Sequence, residues 1–359
     1  MLVSPRALFP DGAGTPARQL IDARAPIEVA RGALPFALAL PLMTDEERRR
    51  VGIRYKEAGQ EAAMQLGYEL VGPDLERRTQ AWRAVVDQGP TAVTCWRGGL
   101  RSKLVVEFIG RSDVERVEGG YKAVRADLLD RLPEALTRKR MVVLTGLTGS
   151  GKTRLLRALA AGDALQVVDL EGEARHRGSA FGAVDEPQPS QQTFENAIAA
   201  QLVLSPAPRL VVEDESRYVG RRTLPDPLLA AMRAAPVVVL EASLASRAAL
   251  SYQEYVQGAT ACHGGARTAA RLLADTGRLR RRLGGQRTDE VLARIAALAE
   301  DAEAWHDPAA HQGWITTLLQ EYYDVLYRKA LAKHGRIVAF RGDEKEVQAW
   351  LTEAWGWTA

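Results

Sequence analysis

Short apolar runs alternate with longer amphipathic stretches through the first third of the chain. Residues 19–22 (QLID), 37–42, 91–94 (TAVT) and 114–117 are too short for stable helices and are bounded by turn-forming residues, which predicts strands. Between them, residues 45–66, 75–86 and 101–109 carry the three-to-four-residue apolar spacing of helices, and Pro26 suits the first turn of another. The stretch 32–35 (GALP) reads as a turn. This alternation predicts a parallel sheet with helices on both faces. After a polar, proline-containing stretch at 131–140 (RLPEALTRKR) the pattern starts again. Strands are predicted at 141–145, 165–170, 210–213, 237–241 and 336–340, with a mainly helical region over 245–332 and a closing helix over 344–355. The expected fold class is therefore α/β, with a first parallel-sheet domain at 1–135 and a second α/β domain at 136–359 carrying a helical extension.

Length agrees, since 359 residues exceed one ordinary domain. A content of 46% hydrophobic and 26% charged residues places the chain among globular proteins, and a net charge of +3 selects no partner. Two cysteines, Cys95 and Cys262, exclude a disulfide framework, and with five scattered histidines no zinc-ligand spacing appears. No apolar run approaches the ~20 residues needed to span a bilayer, and the first residues lack the apolar core of a signal peptide, so a cytoplasmic location is expected.

Two segments carry chemistry. In the first, the strand 91–94 delivers Cys95 into Trp96-Arg97-Gly98-Gly99-Leu100-Arg101-Ser102, after which a helix begins. Loop N–H groups, a helix N-terminus, Arg97 and Arg101 all favour an anion beside the thiol, and such a thiol accepts or delivers a chalcogen or attacks phosphorus. Trp96, Gly98 and Gly99 complete the candidate cradle. Alone, one cysteine is commonly a buried small hydrophobe. Cys262, in Cys262-His263-Gly264-Gly265, has no such surroundings and reads as incidental.

In the second, residues 146–153 (GLTGSGKT) match G-x-x-x-x-G-K-[ST] between a strand and a helix. Gly146, Gly149, Ser150 and Gly151 let backbone N–H groups face a phosphate, Lys152 adds a charge, and Thr153 offers a hydroxyl to Mg2+. The strand 210–213 ends in Glu213-Asp214-Glu215, resembling the acidic segment that holds Mg2+ in such proteins, with Asp214 taken as the candidate; spacing does not choose among the three. Asp169 and Glu171 end another strand on the same side of the expected sheet.

Two basic segments are candidates for RNA: the loop carrying Arg175 and Arg177, and 271–287 (RLLADTGRLRRRLGGQR), with Arg280, Arg281 and Arg282 at its centre. The latter reads equally as a solvated amphipathic helix with Leu272, Leu273, Leu279 and Leu283 turned inward. Trp305, Trp314, Tyr322, Tyr323 and Tyr327 read as core rather than base-stacking platforms.

Taken together, these residues carry a resemblance. Asp22-Ala23-Arg24-Ala25-Pro26-Ile27-Glu28, the turn 32–35 and the Cys95 loop resemble a rhodanese domain. Fused to the 146–153 loop, with Asp169-Leu170-Glu171-Gly172, His176-Arg177-Gly178-Ser179 and Glu215-Ser216-Arg217, they are similar to the tRNA 2-selenouridine synthases over about residues 19–355. That resemblance implies a rhodanese-like first domain and replacement of sulfur by selenium in wobble 2-thiouridine of tRNA. Selenophosphate would be the selenium source, and S-geranyl-2-thiouridine made from geranyl diphosphate the intermediate. Cys95 would carry selenium as a perselenide-like adduct, and the 146–153 loop would hold a diphosphate. The partners implied are tRNA and a selenophosphate-producing enzyme.

Two positions depart from the family's usual pattern: Phe36 replaces a glycine after Pro35, and Ala39 an asparagine. The Cys95 loop is also one residue longer than the common rhodanese loop, and its C-x5-R spacing is that of cysteine phosphatases. A sulfurtransferase coupled to an ATPase, a C-x5-R phosphatase or kinase-like regulator, and a non-catalytic tRNA-binding module are the alternatives.

Overall fold

The computed structural model describes residues 1–160, 165–176, 181 and 186–353, with the side chains of 330–334 left aside. The chain divides into two compact units, each built on a five-stranded parallel sheet. The first unit comprises Met1–Lys139, Gln188–Ala207 and Arg222–Leu228. Its strands run in the order Leu2–Val3, Glu115–Val117, Thr91–Thr94, Gln19–Asp22, Ala37–Ala39. Thr91–Thr94, buried at every position, is central, so the residue after it sits mid-sheet at the carboxyl edge.

Four features of this unit differ from the sequence expectation. The strand at 37–42 shortens to Ala37–Ala39, where Phe36 takes φ +66°. A left-handed residue with a Cβ costs about 1–2 kcal/mol, so glycine would fit this turn with less strain than phenylalanine. The helix expected over 45–66 runs over Asp45–Val71 but breaks at Gly59, whose φ is +81°. A Cβ on Gly67 would stand in ordinary contact with Val51, 3.9 Å from its Cγ2. Sixteen residues of straight helix would span about 24 Å, so the segment doubles back as two arms. Most of the stretch 131–140 is the end of a helix, Gly120–Thr137, that passes through Pro133, and Arg140 already begins the next strand. Arg131 is buried there, held by the Phe9 carbonyl and by Asp11 and Asp127. Finally, the helix Gln191–Leu204, far along the sequence, packs against Gly120–Thr137.

The second unit comprises Arg140–Pro187, Pro208–Arg221 and Leu229–Ala359. Its sheet order is Val338–Gly342, Val237–Leu240, Arg140–Thr145, Arg209–Glu213, Leu165–Val168. The central strand Arg140–Thr145 leads into the glycine-rich loop and the helix Lys152–Leu159. The helical region that follows buries its own core, including Leu272, Leu279, Trp305, Trp314 and Tyr322, with Leu273, Leu283 and Tyr323 partly buried against it. The inward reading of the leucines and of these aromatics therefore holds. No helix among the described residues is long and apolar enough to cross a membrane.

Candidate active site

Cys95 leaves the central strand of the first sheet and is only 3% exposed. Its Sγ donates to Ser102 Oγ at 3.4 Å, and the Ser102 hydroxyl in turn donates to the Gly99 carbonyl at 3.0 Å. Gly99 caps the helix Leu100–Ile109, so sulfur and hydroxyl sit against its first turn. The loop is shaped by a second glycine turn after the strand Glu115–Val117. Tyr121 N–H donates to the Cys95 carbonyl at 2.8 Å, and Lys122 N–H to that of Trp96 at 3.2 Å. Gly98 (φ +67°) and Gly120 (φ +63°) allow this approach, since a Cβ on Gly120 would lie 2.3 Å from Cys95 O and from Gly98 N. In Gly120→Ala, backbone strain and this clash displace the Cys95 loop together. We expect a loss of about 2 kcal/mol or more in unfolding free energy and about a hundredfold slower loop-dependent chemistry, measurable by denaturant titration and product assay.

Below the loop, Trp96 stacks on Tyr121 at 5.5 Å, and the Arg24 guanidinium lies 3.7 Å from the Tyr121 ring centre. Arg24, fully buried, is neutralised by Asp22 at 2.6 Å and donates to the Gly32 carbonyl at 2.8 Å. The returning helix completes this floor. Asn196 donates to Tyr121 Oη at 3.2 Å and to the Ala33 carbonyl at 2.7 Å, and Tyr121 Oη donates to Gln192 at 3.0 Å. Gln192 and Asn196 carry no signal along the chain, because nothing local marks a helix that rejoins a unit seventy residues away.

The two arginines of the loop separate. Arg97 is exposed, whereas Arg101 is bonded through both terminal nitrogens to Glu28, at 2.5 and 3.1 Å. Arg48 reaches the same carboxylate at 3.1 Å. Burial raises the Glu28 carboxyl, but Arg101, the Ala25 N–H and Arg48 together hold it below the ordinary value. Two cations on one carboxylate leave this edge of the loop net positive. Trp96, Gly98 and Gly99 lie in the loop as expected.

In the second unit, Lys152 Nζ donates to the Gly146 carbonyl at 3.0 Å, closing the 146–153 loop on itself. Arg247, 2% exposed and paired with Asp324, clamps the loop from outside by donating to the Thr148 carbonyl at 2.8 Å. Gly149 and Gly151 have φ of +79° and +92°, and Ser150 is buried with its Oγ unpartnered. Thr153 Oγ1 donates to Glu171 at 3.2 Å and Glu213 at 3.4 Å.

Glu171, Glu213 and Glu215 bring carboxylate oxygens within 4.8 Å of one another. Glu213 is 1% exposed and its Oε2 has no hydrogen-bond partner. Burial, then the Glu171 charge, pushes the Glu213 carboxyl well above the usual carboxylate range, and the same causes push Glu215 up to about 8. Asp214, singled out in the sequence, accepts instead from Thr145 at 2.6 Å and pairs with Arg336 at 2.6 Å. A cavity of about 910 Å3 opens over the loop, with Lys152, Thr153, Asp214, Tyr255, Tyr323 and Tyr327 in its wall.

Among the basic residues, Arg175 lines this cavity and pairs with Glu186 at 3.3 Å. Arg177 lies outside the described residues. Arg280 is paired with Asp289, and Arg281 and Arg282 are exposed on the short helix Arg280–Leu283. Cys262 is exposed in the helix Gly258–His263, beside His263, which lines this cavity, but does not itself line it.

Comparison with known proteins gives one consistent answer. Residues 139–356 match a family profile described as the tRNA 2-selenouridine synthase AAA domain. A tRNA 2-selenouridine synthase of Shewanella halifaxensis is 41% identical, covering 92% of this chain and 94% of that one. One from Pseudomonas fluorescens is 42% identical over 94% and 95% of the two chains, and one from Cupriavidus pinatubonensis 41% identical over 95% of each.

Proposed function

Because the chain belongs to the tRNA 2-selenouridine synthase family, and so is a tRNA-modifying enzyme, we propose that its two units divide one replacement of sulfur by selenium between them. The observation that carries this reading is a repeated placement. A thiol loop and a phosphate-type loop each leave the central strand of a parallel sheet, at the carboxyl edge where ligands bind.

On this reading the 146–153 loop holds geranyl diphosphate. Its N–H groups and Lys152 meet the diphosphate, and the tyrosines of the cavity wall meet the developing allylic cation through their ring faces. The thiocarbonyl sulfur of 2-thiouridine bonds to C1 of the geranyl group. Diphosphate departs with the C1–O electron pair, and the base loses its N3 proton. Mg2+ suits the pocket, because the orphaned Oε2 of Glu213 and the raised Glu215 mark a carboxylate cluster whose charge Lys152 balances only in part. Glu171, Glu213, Glu215 and the Thr153 hydroxyl would hold it. Bound there, the ion would neutralise diphosphate charge.

The first unit, read as rhodanese-like, acts on the alkylated base. Selenium of selenophosphate adds to C2 with its electron pair, the C2–S bond breaks, and geranylthiolate leaves. Water then cleaves the Se–P bond, releasing phosphate. No electrons are gained or lost. A perselenide on Cys95 would instead require a two-electron oxidant or the release of phosphite, so the redox-neutral route gives Cys95 another task. On this reading its Sγ–H, held toward Ser102, protonates the departing thiolate, while the cationic edge at Arg101 and Arg48 attracts selenophosphate. An upstream enzyme that phosphorylates selenide must supply that donor. Arg281 and Arg282 offer phosphate contacts to the tRNA.

The test is mass analysis of wobble nucleosides after incubation with 2-thiouridine tRNA. Geranyl diphosphate alone should yield the S-geranyl nucleoside, and adding selenophosphate should convert it to selenouridine. Selenouridine formed without geranyl diphosphate overturns the two-step reading.

A further inference from the structure

A second concavity lies in the first unit, beside the Cys95 loop, and shares only its cationic end with the residues described above. It encloses about 740 Å3 and is walled by both arms of the bent helix Asp45–Val71 and by the helix Leu100–Ile109. Val51, Met64, Leu104 and Phe108 line it, and Tyr68 closes one side by meeting Phe108 edge-on at 6.4 Å. Ile53, Tyr55, Tyr68 and Leu100 expose 38–57% of their surfaces along it. Contiguous apolar exposure of this kind marks a binding groove rather than ordinary surface, and the volume suits a small ligand.

One end of the groove is chemically distinct. Arg48 and Arg101 line it there, both on Glu28, with the net positive balance noted above. Arg101 also adjoins Ser102, whose hydroxyl accepts from Cys95 Sγ. The groove thus has greasy walls, with Arg49 and Lys56 also lining it, and at its Arg48–Arg101 end it reaches the turn that holds the thiol. An occupant that matches carries an extended hydrocarbon chain on one side of its reacting atom and anionic groups on the other.

We propose that this groove binds the geranyl chain of S-geranyl-2-thiouridine during selenium transfer, leaving C2 and its sulfur at the Cys95 turn. This rests on the two-step reading above. The base then sits where selenophosphate approaches the Arg48–Arg101 end. When the C2–S bond breaks, the chain departs as geranylthiol, bearing the proton and the C2–S electron pair. The groove therefore selects alkylated over unalkylated substrate at the step that consumes it.

The experiment supplies the full-length protein with anticodon stem-loop RNAs carrying S-geranyl- or S-methyl-2-thiouridine, together with selenophosphate, so that geranyl transfer is bypassed. Each buried methylene is worth about fourfold in affinity, so the S-geranyl RNA should show a KM at least about tenfold below that of the S-methyl RNA. Ile53→Glu and Leu104→Glu should erase that difference while leaving S-methyl turnover and geranyl transfer from geranyl diphosphate unchanged. Ile53 is exposed, so its variant decides the matter if the Leu104 variant does not fold. Equal KM values for the two RNAs in the unmodified protein, or an undiminished preference in Ile53→Glu, overturn the groove assignment alone. Conversion of 2-thiouridine RNA with no turnover of the S-geranyl RNA overturns the two-step reading beneath it.

Discussion

Cys95→Ala should form no detectable selenouridine, a loss of at least about a thousandfold, while still producing S-geranyl-2-thiouridine at close to the normal rate. The separation follows from the fold. Cys95 belongs to the first sheet, where its sulfur touches Ser102, and it shares no residue with the cavity over the 146–153 loop. Deleting a small buried group costs about 1 kcal/mol, too little to unfold the unit, so a melting midpoint lowered by only about 2–4 °C is expected beside the lost activity. Cys95→Ser is the stricter variant, since its hydroxyl keeps the partner in Ser102 but is a far weaker acid than a thiol. Liquid chromatography with mass detection of nucleosides reads both products from one digest. If selenouridine still accumulates in Cys95→Ala, the thiol has no part in the transfer.

Lys152→Ala should show the reverse pattern. Geranyl transfer falls by about a hundredfold to a thousandfold, the usual cost of removing one preorganised group from a developing anion. Conversion of RNA already carrying the S-geranyl group continues. In the structure the ammonium is held by the Gly146 carbonyl, so it is preplaced at the mouth of the loop rather than recruited from solvent. Alanine there leaves the loop's shape to Arg247, which bonds the Thr148 carbonyl independently. If geranylation survives in this variant while ATP turnover stops, the loop is a nucleotide site and the diphosphate assignment is wrong.

Much of this was legible along the sequence, for a local reason. The strand of Thr91–Thr94, its cysteine and the glycines after it lie within ten residues, and the strand, loop and helix around Lys152 within twenty, so each cradle is specified by neighbours. What was illegible is made by distance. Glu28 meets Arg101 across 73 positions, and Gln192 meets Tyr121 across 71. The three glutamates gather from two strand ends, and nothing in Glu213-Asp214-Glu215 foretells that the middle acid is occupied by Thr145 and Arg336. The break at Gly59 was hidden as well, because helix periodicity continues on both sides of it and only the left-handed φ reveals the turn.

The helix Gln191–Leu204 makes the thiol-bearing unit discontinuous in the gene. A clone ending at Lys139 would omit Asn196 and Gln192, leaving Tyr121 and the Ala33 carbonyl without their buried partners and an apolar helix flank open to water. The complementary fragment would carry that same helix with nothing to cover it. Neither half can be expected to behave as a tidy piece. Studies that isolate one chemistry should silence the other by point substitution in the intact polypeptide rather than by scissors.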